Sequence, residues 1–226
     1  MKKKIIISII VILLLIGVGC IAFHINQVGI LTEELNEISL VMESEEPDFS
    51  KIDEKLNTTK TKWEYAKIEN GVKEYFRGFI GELKKLDEIS KEEKLSKILS
   101  AENFKEDGPN FKETSAYIQD SINKLSDIKN NILQYFEDEK INSYFNNVGE
   151  ILKKQFIKEL KSNQDFTTAK ETIEKSLNDA IDALESSNDI IKFLKDNKGK
   201  WETDGKTITF YSNELLDQYN SLIEKL

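Results

Sequence analysis

Apolar side chains fill Ile5 through Phe23, with Ser8 as the one conventionally polar residue in the run. A helix in water keeps a polar face, and about 20 apolar residues cross a bilayer core, so residues 1–23 are expected to form a transmembrane helix. Beyond it the apolar positions fall into helical spacing. Val28, Leu31, Leu35, Ile38 and Met42 step by three and four residues, which keeps them on one stripe. They predict an outward helical extension over residues 24–46, ended by Pro47. That stripe either packs on the chain's own domain or offers a face to a partner helix.

The same spacing continues through residues 47–226. Ile52, Leu56, Thr59, Trp63 and Ala66 predict a helix capped by Asp48 or Ser50, and Ile68, Val72, Tyr75, Phe79, Leu83 and Leu86 carry it on after a bend at Gly71. Ser90 and Glu93 have the spacing of a capping box, predicting a short helix with Leu95, Ile98 and Leu99. Asp107-Gly108-Pro109-Asn110 is the strongest break. A long helix follows with Ile118, Ile122, Leu125, Ile128, Ile132 and Phe136. Ile141 to Leu160 gives another, and Ile173 to Leu194 a last long one after a loop at Asn163-Gln164-Asp165.

The tail changes period. Trp201 to Phe210 is β-rich around Asp204-Gly205, which suits a two-residue hairpin turn and sets Trp201 opposite Ile208. A hairpin is therefore expected within residues 200–211, with a terminal helix over residues 213–226. The expected fold is all-α: a transmembrane helix leading into an elongated extracytoplasmic antiparallel bundle that carries this one small hairpin.

Charge orients the chain. Lys2, Lys3 and Lys4 precede the apolar run, and residues 24–50 hold seven acids and no base. The positive-inside rule then places the N-terminus in the cytoplasm and the rest outside. Three fates of the N-terminal segment remain open: an uncleaved signal anchor, a lipoprotein signal with Cys20 acylated, or cleavage after Gly19. The net charge of −9 opposes binding to phosphate backbones, so nucleic acid is not an expected partner. Cys20 is the single cysteine, so no disulfide can form within the chain.

The search for chemistry returns little. Gly205-Lys206-Thr207 lacks the spacing and the following helix of a phosphate loop. Ser121-Ile122-Asn123-Lys124 has the S-x-x-K order of penicillin-binding enzymes without a Lys-Thr-Gly partner. His24 is the only histidine, which rules out a Ser-His-Asp site in the outer domain. The acidic runs Glu43 to Asp48 and Glu137 to Glu139 read as solvated faces, so no catalytic, cofactor or metal residue is assigned. Among the clustered aromatics Trp63 and Phe79 fall on the core stripe, while Tyr65 and Phe76 fall off it and are candidates for a peptide or glycan groove. The expected role is a membrane-anchored, non-catalytic scaffold that binds a protein partner or itself. The alternative is an extracytoplasmic module for a small ligand or a wall polymer.

Overall fold

The computed structural model of the chain describes residues 29, 30, 33, 34, 36–38, 41, 49–162 and 164–226. The expected span 1–23, Cys20, His24, Glu43 to Asp48, and four residues of the extension stripe (Val28, Leu31, Leu35 and Met42) lie outside them. Among the described residues no helix is long and apolar enough to cross a membrane.

The described residues are mostly helical, with one small antiparallel sheet near the C-terminus. The helices are α1 (Phe49–Leu56), α2 (Glu64–Lys91), α3 (Glu93–Lys97), α4 (Ala101–Asp107), α5 (Lys112–Gln134), α6 (Asp138–Tyr144), α7 (Glu150–Ser162) and α8 (Gln164–Asp196). Strands β1 (Trp201–Thr203) and β2 (Ile208–Phe210) and helix α9 (Asn213–Ile223) complete the chain. The described residues between 29 and 41 are helical too. Two compact units are formed, one from residues through Leu83 with Asn130–Ser176, the other from Lys84–Lys129 with Leu177–Leu226.

In the first unit α2 buries two adjacent stripes. Ile68, Val72, Tyr75, Phe79 and Leu83 form the expected one; Glu69, Lys73, Phe76 and Ile80 form a second beside it. The sequence pattern shows only the first, because charged residues stand in the other. Tyr75 meets Tyr135, Tyr144 and Phe76 edge-on, and its hydroxyl donates to the Tyr135 carbonyl at 2.8 Å. Burial of that hydroxyl raises its pKa well above the ordinary value. The bend expected at Gly71 does not interrupt the helix, as α2 runs through it. The glycine serves close packing instead: a Cβ there would lie 2.7 Å from the Tyr144 carbonyl oxygen and 2.8 Å from the Phe145 ring.

In the second unit the expected capping box does not form. α2 continues through Ser90, whose hydroxyl turns back to the Asp87 carbonyl, and α3 starts after Glu92 without a side-chain cap. Ser100 instead caps α4 by accepting from the Asn103 amide at 3.1 Å. Asp107 accepts from the amides of Glu113 and Thr114 at the start of α5, which keeps its carboxyl below the ordinary range against the opposing effect of burial. The break at 107–110 thus also secures the next helix.

The hairpin forms in a different register. Trp201 pairs with Phe210, Glu202 with Thr209 and Thr203 with Ile208, leaving a four-residue loop rather than two. The Asp204 carboxylate accepts from the amides of Lys206 and Thr207 at 2.7 and 2.8 Å, and Gly205 supplies the positive φ of 92°. The aspartate thus organises the turn through its side chain, which widens the loop. Trp201 stacks on Phe111 and meets Phe104 edge-on, which fixes the hairpin to this unit.

Candidate functional site: a charge-clamped loop that presents Trp63

The sequence pattern runs one helix from about residue 50 through Trp63, but α1 stops at Leu56 and α2 starts at Glu64. Residues 57–63 are a loop, and Trp63 is a correction to the expected core stripe: it is 85% exposed. The helical count fails because the loop resets the phase. Trp63 also has a φ of 55°, in the left-handed region where a bulky side chain is strained.

A buried charge cluster holds that loop. Glu34, Glu69 and Lys73 are each at most 1% exposed. Lys73 Nζ contacts Glu34 Oε1 and Glu69 Oε1, both at 2.9 Å, and donates to the carbonyls of Lys55 and Thr58 at 3.0 and 2.9 Å. The Glu69 carboxylate accepts from the Lys60 amide at 3.0 Å, the Thr61 amide at 2.8 Å and the Thr61 hydroxyl at 2.6 Å. Glu34 accepts from the Thr58 hydroxyl at 3.0 Å and forms an ion pair with Lys60. Each buried charge is therefore paired, with Glu34 Oε2 left to its ion pair with Lys60 alone, and pairing is the condition under which burial of ions is tolerated.

Electrostatics follow from this geometry. Burial pushes the Glu34 carboxyl up, but the bonds from Lys60, Lys73 and Thr58 outweigh it and leave the group below the ordinary carboxyl range. Glu69 is also driven up by burial and brought below that range by Lys73 and the Thr61 and Lys60 donors. Lys60 is raised by its bond to Glu34. All three are charged at neutral pH. Trp63 thus stands in left-handed backbone at the end of a loop whose Lys60 and Thr61 amides are bonded by a buried carboxylate.

The same unit has a second exposed large apolar side chain. The Gly149 amide donates to Glu64 Oε2 at 3.4 Å, which brings the start of α7 to the start of α2. Ile151, on the first turn of α7, is 84% exposed. Trp63 precedes Glu64 in sequence, Ile151 follows Gly149 by two residues, and the half-buried Tyr65 follows on α2.

The expected site residues fare differently. Phe76 is buried and lines a cavity of about 20 Å³ with Val72, Tyr75, Phe145, Phe156, Leu160 and Phe166. That space holds about one water-sized sphere and no open groove, because the second stripe of α2 is covered. Of the extension stripe only Ile38 is described, and it is fully buried within this chain. Lys124 of the S-x-x-K order pairs with Asp120 at 2.7 Å, while Ser121 is buried. Glu137 pairs with Lys170 at 2.8 Å and Asp138 with Lys161. Among the described residues no group of three or more His, Cys, Asp or Glu is arranged to hold a metal ion. The second unit has a polar cleft of about 340 Å³ lined by Lys94, Lys97, Glu102, Asn103, Glu106, Asp107 and Glu113.

Glu34, Glu69, Lys73 and Thr61 had no signal in the sequence. Glu69 and Lys73 look like an ordinary exposed i,i+4 pair. Only their position beside Val72 and Phe76 on the helix hints at burial. No protein-family model, characterised protein or solved structure matches the chain.

Proposed function

We propose that this is a membrane-anchored extracytoplasmic scaffold protein without catalytic activity, in which the helical domain is mounted firmly on its anchor. The observation that carries this reading is the Glu34–Lys73–Glu69 cluster. Glu34 follows the apolar run Ile5–Phe23 by eleven residues, and its carboxylate is locked into the first unit by Lys73, Thr58 and Lys60. Glu37, one turn on, pairs with Lys55. A domain that only needed tethering would be served by a flexible linker; the pairing of Glu34 and Glu37 with the first unit supports a firmer attachment of the segment that follows the apolar run.

The test is in-cell crosslinking of the full chain, with products identified by mass spectrometry and repeated for Lys73→Met. The scaffold reading expects a defined protein partner or a self-crosslink, lost or redirected when the mount is loosened. A monomer without products in both backgrounds overturns it. The cleft at Lys94, Asn103 and Glu113 favours a second reading, a module for a small polar ligand. A ligand-dependent rise in melting temperature that is removed by Asn103→Leu would select it.

A further inference from the structure

We propose that the cleft between α3, α4 and the start of α5 binds a small zwitterion, an amino acid or short peptide whose carboxylate faces Lys94 and Lys97 and whose ammonium faces Glu102 and Glu106. It rests on the small-ligand reading of that cleft, and three observations carry it.

The first is a shape that is held open. The cleft has about 340 Å³, within the range of small-ligand sites, about 300–1,000 Å³. Bonds within the chain build its inner wall. The Asn103 amide donates to the Ile98 carbonyl at 2.8 Å and to the Thr114 hydroxyl at 3.0 Å, which ties α4 to the end of α3 and to α5. Asp107 accepts from the amides of Glu113 and Thr114 at 3.3 and 2.7 Å, which fixes the start of α5 against α4. A wall set in advance lowers the cost of ordering a ligand.

The second is the sorting of charge by element. α3 contributes Lys94 and Lys97, three residues apart and so on one helix face. α4 contributes Glu102 and Glu106, four apart and likewise on one face, and α5 contributes Glu113. Cations thus come from one element and most of the carboxylate charge from another. A ligand of one sign is repelled by one of the two sets, whereas a zwitterion complements both. Every lining side chain is polar, so an apolar ligand finds no complementary wall. Among the described residues no group of His, Cys, Asp or Glu is arranged to hold a metal ion, so an organic ammonium is the cation that suits these acids.

The third is loose pairing across the cleft. Lys94 Nζ stands 3.9 Å from Glu113 and Lys97 Nζ 3.8 Å from Glu102. Charge-assisted bonds close to about 2.7–2.9 Å. Lys97 makes one short contact, to Glu93 at 2.8 Å, and Lys94 lies 5.3 Å from the centre of the Tyr117 ring. Glu106 makes no hydrogen bond or ion pair among the described residues. Each ammonium has three donors, so a carboxylate inserted at the lysines gains bonds without breaking a tight pair.

The test is isothermal titration of the full chain in detergent micelles with three probes: alanyl-alanine, the same dipeptide acetylated at its amine, and the same dipeptide amidated at its carboxyl. In the expected result alanyl-alanine binds at one site per chain, and each blocked form binds about five-fold or more weakly. Lys97→Met should weaken alanyl-alanine and leave the amidated form unchanged; Glu106→Gln should weaken it and leave the acetylated form unchanged. Both side chains are exposed, so neither substitution empties the core. A blocked form that binds as tightly as alanyl-alanine, and is weakened by either substitution, overturns the zwitterion and leaves the small-ligand reading of the cleft standing. Dipeptide binding that neither substitution weakens lies elsewhere on the chain and overturns both. Absence of binding by all three probes also overturns both.

Discussion

The chain has two tryptophans, and each comes just after a break in helical structure. Trp201 is 8% exposed: its indole donates to the Leu194 carbonyl at 2.8 Å and its ring stacks on Phe111 at 5.8 Å. Trp63 is 85% exposed and no aromatic ring partner is found for it among the described residues. The difference lies in what surrounds each break. Around Trp201 an apolar hollow of Phe104 and Phe111 receives the ring, and its one polar atom finds a carbonyl. The loop that ends at Trp63 is held by Lys73 and two carboxylates, which bond its backbone and the side chains of Thr58, Thr61 and Lys60. Trp63 ends that loop in left-handed backbone, with its ring in solvent. One unit is closed by an aromatic cluster, and the other is closed at the loop by ions.

That contrast makes ordered predictions. Trp201→Ala should have the largest effect, about 3–5 kcal/mol of destabilisation, read as a lower urea midpoint, because it empties a packed cluster. An effect below about 1 kcal/mol would mean that the hairpin is not secured by its ring. Lys73→Met should cost about 3 kcal/mol or more, since it leaves Glu34 and Glu69 buried with fewer partners. Hydrogen exchange should then accelerate at the amides of Lys60 and Thr61, whereas Trp201→Ala should leave those amides protected.

The pH dependence separates the two regions further. The folded Glu34 and Glu69 carboxyls lie below the ordinary value of 4.5, so their contribution is fully present above that value and is lost as pH falls through the lower folded values. Wild type should therefore lose more stability than Glu69→Gln between about pH 5 and about pH 3, measured as the difference in urea midpoint. Equal acid slopes would mean that the cluster contributes nothing ionic. The smallest expected effect is at Trp63. Trp63→Gly should leave stability unchanged or raise it by up to about 1 kcal/mol, because glycine relieves the left-handed backbone and little packing is lost. A loss of several kcal/mol would show that the ring is a structural element after all.

Much of the helical content was legible from spacing alone. Val72, Tyr75, Phe79 and Leu83 are buried where a 3.6-residue period puts them, and so are Ile118, Leu125, Ile128 and Ile132. The hairpin was legible from Asp204-Gly205, but its register was not, since the carboxylate of Asp204 takes two amides and lengthens the turn. The loop at 57–63 was invisible because Thr59 and Trp63 happen to continue the apolar phase of α1. The clamp was invisible for a stronger reason. A lysine and two glutamates are assigned to solvent by any reading of polarity, and only mutual pairing across 39 residues of chain makes their burial tolerable.

The sequence by itself determined the helices, the apolar run at the N-terminus, the acidic balance and the break at 107–110, because each depends on residues near one another along the chain. Tertiary structure alone decided that Glu34 joins Lys73 and that Trp201 turns inward and Trp63 outward. Those outcomes depend on which buried groups find partners, and decisive ones, Lys73 for Glu34 and Phe111 for Trp201, lie tens of residues away.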